Sequence, residues 1–274
     1  MKKWFKKLKK QRKWIIFTLV IILIILGVYQ KEFLYKEHVT IKYEVDILNC
    51  CTITNEEGLK YSSYEELLDN PPEFNGEKIV TINNNIPFFD DELKKNKDIY
   101  IELSELDELG RSHAAIGSLD VNILNTEYRT EDLSTVKPSG FVQVNVKDKY
   151  NVSFIYGDKE YYHLYQRCHI LAYSLGGPEV DERDIFTGTF STNMAMQTYE
   201  KAVMTFLYSY KNDSVLYRVT PVFKGNDLVA SGVLMEGYSR NHYLSFCVYI
   251  FNNEDKFEIN YANGKSSYRP ENKS

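Results

Sequence analysis

The stretch running from Tyr161 to Ala172 constrains this chain more than any other: Tyr161-Tyr162-His163-Leu164-Tyr165-Gln166 leads into Arg167-Cys168-His169 and then Ile170-Leu171-Ala172. Read as a strand, it places side chains at alternate positions on one face. Arg167 and His169 then point together one way, while Leu164, Cys168 and Ile170 point the other. A cation beside a titratable imidazole suits phosphodiester chemistry. A guanidinium grips phosphate oxygens in bidentate fashion, and an imidazole accepts a proton from water near neutral pH.

Downstream, Asp184-Ile185-Phe186-Thr187-Gly188-Thr189-Phe190-Ser191-Thr192-Asn193 precedes a run from Met194 to Tyr210 whose spacing predicts a helix. Its apolar positions, Ala195, Tyr199, Ala202, Val203, Phe206 and Tyr210, form one stripe. At about 100° per residue, Asn193 and Glu200 lie two turns apart on the side opposite that stripe. This leaves two readings. In one, Asn193 is an N-cap and Glu200 a solvated surface residue. In the other, both face a metal-dependent site whose opposite wall is the strand of Arg167 and His169.

Further stretches occur in order: Ile86-Pro87-Phe88-Phe89, Ser104-Glu105-Leu106-Asp107-Glu108-Leu109-Gly110-Arg111, Lys137-Pro138-Ser139-Gly140, Leu164 to His169, Phe186-Thr187-Gly188-Thr189 with Asn193, Tyr199-Glu200, and Leu216-Tyr217-Arg218-Val219-Thr220-Pro221. With these the chain resembles the DNA/RNA non-specific endonucleases of the ββα-metal superfamily, in particular the Gram-positive branch of competence-associated and streptococcal-type DNases. The resemblance covers about Phe74 to Gly264. It implies an α+β fold, the ββα-metal or His-Me finger nuclease fold, with a central antiparallel sheet.

The resemblance also implies roles. His169 matches the general base, Asn193 the one direct protein ligand to a magnesium ion (manganese being the alternative), and Glu200 the acid that holds metal-bound water. Arg167 matches the arginine expected near the phosphate. The chain departs from the pattern where Gln166 and Cys168 replace Asp and Gly, where Asp184 replaces Asn, and where Met196-Gln197-Thr198 replaces a Leu-Pro-containing stretch. So sparse a site is chemically sufficient, because magnesium keeps several of its waters and contacts to backbone phosphate carry no base information.

The amino terminus sets the expected location. Lys2, Lys3, Lys6, Lys7, Lys9, Lys10, Arg12 and Lys13 form a basic tail, 1–13, before an uncharged run, 14–29, rich in Ile, Leu and Val. That run, roughly 24 Å as a helix, reads as a single transmembrane anchor. Its basic side stays cytoplasmic and the remainder lies outside the cell membrane. A cleaved signal peptide and secretion is the alternative. Without the eight tail cations, 25 basic residues face 38 acidic ones, a formal charge of −13. Since diffuse DNA or RNA binding rests on phosphate neutralisation, only a local basic groove, with Arg167, Lys201 and Arg218 as candidates, can supply it.

The remaining organisation is a polar stalk at 30–72 containing a short helix at Tyr64-Glu65-Glu66-Leu67-Leu68, one nuclease domain at 73–264, and a disordered tail at 265–274. Leu216 to Phe223 and Leu228 to Met235 read as a hairpin across Gly225-Asn226-Asp227, and Leu244 to Phe251 as another strand. Cys50, Cys51, Cys168 and Cys247 fit no zinc spacing, and exported cysteines admit three pairings. Cys168 reads as a small buried apolar residue. His38, His113, His163 and His242 match no partner motif, although His163 shares the face of His169. Three functional classes follow: a membrane-anchored non-specific endonuclease, a catalytically impaired nucleic-acid-binding module on the same fold, and a secreted nuclease toxin.

Overall fold

The computed structural model describes residues 39–43, 58–241 and 243–270. The apolar run 14–29, Cys50, Cys51, His38 and His242 lie outside them. Among the described residues no helix is long and apolar enough to cross a membrane.

The centre is a six-stranded antiparallel sheet. In chain order its strands are β2 (Ile79–Thr81), β3 (Tyr100–Leu103), β4 (Ala115–Leu119), β9 (Val215–Val222), β10 (Gly232–Ser239) and β11 (Ser245–Phe251), arranged β2-β11-β10-β9-β4-β3. All seven residues of β11 are buried, which alternation explains. Phe246, Val248 and Ile250 join the core on one face, and Cys247, Tyr249 and Phe251 join that on the other. Both faces are therefore covered.

The expected hairpin is present, with Val219 opposite Met235, but its second strand begins at Gly232 rather than Leu228. The amides of Leu228 and Val229 instead donate to the Tyr261 carbonyl, drawing this segment away from the ladder.

On one face lies a ββα unit. Strand β7 (Tyr165–His169) pairs antiparallel with β8 (Ile185–Thr189), placing Arg167 opposite Thr187 and His169 opposite Ile185. Gly188 makes this approach possible, because a Cβ there would sit 2.4 Å from the Cys168 sulfur. Cys168 and Cys247 are buried free thiols. Helix α4 (Phe190–Ser209) follows β8 directly and buries Ala195, Tyr199, Ala202, Val203 and Phe206, the expected stripe, while Tyr210 remains exposed.

The helix begins four residues before Met194. Thr189 is its N-cap, its hydroxyl accepting from the Thr192 amide at 3.2 Å. Buried polar groups secure this first turn. Lys78 beside β2 donates to the Thr192 hydroxyl and the Asn253 carbonyl, each at 2.8 Å. Ser191 N donates to the Glu254 carboxylate at 2.8 Å, and Asn252 bridges Thr187 and Ala230.

The opposite face is covered by α1 (Tyr64–Asp69), the short helix expected there, whose Leu67 is fully buried against Ile82, Leu234 and Tyr249. Further back, β1 (Val39–Tyr43) pairs in parallel with β5 (Val152–Tyr156), which pairs in turn with β6 (Lys159–Tyr161). Polarity suggested a stalk through 30–72, yet these contacts attach 39–43 and 58–69 to the domain. The short helices α2 (Asp91–Lys95) and α3 (Val146–Tyr150) lie in connections. Beyond Gly264, β13 (Ser266–Tyr268) pairs with β12 (Phe257–Ile259), so this part of the expected tail is ordered.

Candidate active site

The ββα unit carries His169 on β7 and Asn193 and Glu200 on α4. From Arg167 onward the β7 alternation holds, with Cys168 and Ile170 buried and Arg167 and His169 half-buried, whereas Tyr165 on the His169 side is fully buried and Gln166 on the other side half-buried. His169 Nε2 is enclosed and has no hydrogen-bond partner among the described residues. The Glu179 backbone lies beside its other nitrogen. Burial, followed by the nearby Arg129 charge, lowers the imidazole to about 4 against the opposing pull of that backbone. The ring is therefore neutral at physiological pH, with the Glu179 backbone beside one nitrogen and the lone pair of the other free.

Asn193 is the fourth residue of α4, inside the helix and not at its cap. Its half-exposed carboxamide hydrogen-bonds to no other described residue. Glu200 stands seven residues on, about 10.5 Å along the axis, and helical side chains lean toward the N-terminus, which brings its carboxylate back toward Asn193. A solvated surface reading does not describe Glu200. Burial pushes its carboxyl up to about 7, partly offset by Lys201. Its charge is felt by Cys168 on β7 and by Asp184, so it faces the strand pair.

Asp184 is completely buried. Its Oδ1 accepts from the Leu171 amide at 2.7 Å and its carbonyl from the Ile170 amide at 2.7 Å, which tie the last residue of the 3-10 turn Glu182–Asp184 to the residues just after β7. Oδ2 is enclosed without a partner. Burial lifts this carboxyl to about 8, and Asp181 and Glu200 add to the lift against the Leu171 amide.

The arginines are used differently from expectation. Arg167 donates from Nε to the Val136 carbonyl at 2.6 Å and from Nη2 to Ser134 at 3.1 Å, with its guanidinium 4.3 Å from the Phe141 ring. It fastens a loop with two of its five N–H donors, leaving both N–H groups of Nη1 and one of Nη2 for a phosphate. Arg218 is an ion-pair partner of the fully buried Glu236 at 2.6 Å and lies 3.8 Å over the Tyr64 ring, which removes it from any basic groove. Lys201 donates to the Tyr156 hydroxyl at 3.1 Å. His113 lies 3.5 Å from Asp107, and His163 is exposed.

Arg129 is the residue that the sequence pattern missed. It is exposed, makes no hydrogen bond or ion pair with any described residue, and lies near enough to lower the His169 imidazole. Nothing in Glu127-Tyr128-Arg129-Thr130 marks it locally; the available signal was its position shortly before Lys137-Pro138-Ser139-Gly140.

Among the described residues no three His, Cys, Asp or Glu side chains converge as a metal cluster. The open donor set is a neutral carboxamide oxygen with a carboxylate behind it. That oxygen-only set suits a hard, water-retaining divalent ion better than the nitrogen and sulfur ligands of structural zinc.

A family model described as DNA/RNA non-specific endonuclease matches residues 91–241, more than half of the chain. The chain belongs to that family. Within it, the chain is 33% identical over 113 residues to a deoxyribonuclease of Streptococcus dysgalactiae subsp. equisimilis, a stretch covering 39% of this chain and 34% of that protein. The match thus spans about a third of the relative's length. The fold resembles the magnesium-bound nuclease NucA of Streptococcus agalactiae, with a TM-score of 0.58 and 25% identity over 70% of this chain and 87% of that one. It also resembles the nuclease Sda1 with a bound zinc ion, with a TM-score of 0.53 and 26% identity over 60% and 80%. The mixed α+β nuclease fold of this endonuclease family is thereby shown, and the matched span contains β7, β8 and α4.

Proposed function

We propose that this member of the family is a divalent-metal-dependent endonuclease hydrolysing the phosphodiester backbone of DNA, with RNA a second substrate. The observation that carries the reading is the enclosed Nε2 of a neutral His169, without a partner among the described residues, in the same ββα unit as an Asn193 carboxamide that bonds to no other described residue.

His169 accepts a proton from the attacking water at Nε2, while the Glu179 backbone beside the ring's other nitrogen favours the tautomer with Nε2 bare. At about 4 the imidazole is a weak base in the free protein. A phosphate anion arriving beside it offsets the Arg129 charge and strengthens it when the substrate is in place. Arg129 binds a non-bridging oxygen. Asn193 directly, and Glu200 through water, would hold magnesium or manganese, which when bound supplies positive charge to the developing phosphate and leaving oxygen. Each of these contacts is to the backbone, in keeping with cleavage without base selection.

The uncharged run 14–29 behind eight cations supports an anchored protein with this domain outside the cell. A soluble form starting near Tyr29 in the medium would instead identify a cleaved leader.

Supercoiled plasmid incubated with the full chain should be nicked in magnesium or manganese and untouched in EDTA. DNA retention without nicking in either ion would favour the impaired binding module, which the buried Asp184 acid and the engaged Arg167 make the second reading.

A further inference from the structure

Residues 120–136 have little regular structure, few hydrogen bonds fasten them to the rest of the domain, and Arg129 within them lies near enough to His169 for its charge to be felt there. Asn125 donates to the Tyr173 carbonyl at 2.8 Å at one end, and Arg167 holds the Ser134 and Val136 carbonyls at the other. Between these lie Tyr128, 94% exposed, and Arg129. The fastener next to Arg129 is the Glu179 carboxylate, which accepts from Thr130 N at 3.2 Å, Thr130 Oγ1 at 3.0 Å and Glu131 N at 3.0 Å. Burial raises this carboxyl, but the Thr130 and Glu131 donors and the Tyr173 hydroxyl outweigh it and hold it below the ordinary carboxylate range. The same residue's backbone lies beside the His169 ring.

We propose that Glu179 is a positioning residue for the site, its side chain holding the Arg129 loop through Thr130 and Glu131 while its backbone lies beside the His169 ring. Glu179 makes no contact with substrate. It fixes the separation between the proton acceptor and the phosphate-binding guanidinium, and an otherwise unsupported, exposed segment gains a defined place near His169. The proposal rests on the nuclease reading above and deepens it.

A double-mutant cycle in the full chain tests it, with kcat/KM measured on a DNA oligonucleotide in magnesium. Glu179→Ala should lose about 10- to 100-fold, the scale of a displacement of about 1 Å in a reacting constellation. In an Arg129→Ala background the same change should cost no more than about twofold, because residues acting through one another are not additive. Hydrogen exchange at the Thr130 and Glu131 amides should accelerate in Glu179→Ala while the interior amides of α4 keep their protection. If Glu179→Ala fails to fold, Glu179→Gln, which keeps one acceptor oxygen, carries the same cycle with a smaller loss. Full additivity, a wild-type rate in the variant, or unchanged exchange at residues 130 and 131 would each overturn the coupling. If the wild-type chain does not cleave, the exchange measurement alone still decides whether Glu179 holds the loop, so the two ideas fail separately.

Discussion

Asp184→Asn is the substitution whose consequence follows most directly from the geometry. The carboxyl is fully buried, takes one hydrogen bond from the Leu171 amide, and leaves Oδ2 enclosed without a partner. Its pKa rises from 3.8 to about 8, with burial the main cause. In the folded protein the group therefore stays protonated while the unfolded chain ionises, so the folded state binds more protons between the two values. Stability then falls as pH rises through that window and levels off above the folded value. The slope is about 1.4 kcal/mol per pH unit, and roughly 2.7 kcal/mol should be lost between pH 6 and pH 9. Dielectric relaxation around the acid reduces this figure, leaving a difference of at least ~1 kcal/mol. Asparagine keeps an acceptor for Leu171 and cannot ionise. Urea midpoints of both proteins in EDTA, taken every half pH unit, should show the variant gaining on the wild type up to about pH 8, followed by a plateau. Because His169, Glu200 and Lys78 titrate in both proteins, the difference between the curves isolates Asp184. Parallel curves from pH 6 to 9 would refute the reasoning and require a charged, solvated Asp184.

His169→Ala should retain DNA binding while cleavage falls by about 10² to 10⁴; with the imidazole lowered to about 4, kcat/KM measured in a Glu200→Gln background, which removes the carboxyl lifted to about 7, should hold to well below pH 6 before its acid limb, and a limb near 6.5 there would contradict the enclosed ring. Asn193→Ala should abolish magnesium-dependent cleavage with little change in unfolding, since Thr189 caps the helix, whereas Thr189→Ala should cost about 0.5–2 kcal/mol in the apo protein. Glu200→Gln should show a smaller rate loss that added magnesium partly recovers, and identical magnesium titrations would remove Glu200 from the site. Lys78→Met leaves Thr192 and Asn253 acceptors without their donor and should destabilise the domain by about 1–3 kcal/mol, as read from the urea midpoint.

Short-range patterns were legible in the sequence because they report a single periodicity. The alternation through Cys168 and His169, the stripe of α4 and the apolar run of β11 all reappear in the burial. Features that depend on distant partners did not show. Phe190-Ser191-Thr192 contains two residues that are poor helix formers in an interior, yet it is helical because Thr189, Lys78 and Glu254 satisfy that first turn from elsewhere. Leu228 and Val229 read as strand until the Tyr261 carbonyl takes their amides. The polar stretch before Pro71 conceals Leu67, which one buried contact set holds to the sheet. Arg129 acquires its significance only from His169, forty residues away, and Arg167 loses part of its expected freedom to two backbone carbonyls.

This dependence on distant partners also explains why so small a site needs so large a support. His169, Asn193 and Glu200 fall within one ββα unit, whose two-stranded ribbon is marginal in water by itself and whose helix still has an apolar stripe to bury. The apolar stripe of α4 must therefore be buried against the six-stranded sheet, and Tyr199 packs its ring 5.0 Å from Phe246 of β11 there. Burial alone would let the helix slide or rotate along that greasy contact. The polar groups at its first turn are directional, and they sit beside Asn193, where a small displacement matters most: Thr192 is held by Lys78 and Ser191 by Glu254, immediately before the proposed metal ligand. Apolar contacts thus hold the helix to the sheet while hydrogen bonds set its register. Among the described residues, the side chains of Asn193 and Glu200 take no hydrogen bond from the protein, as a site that must receive an ion and a phosphate requires.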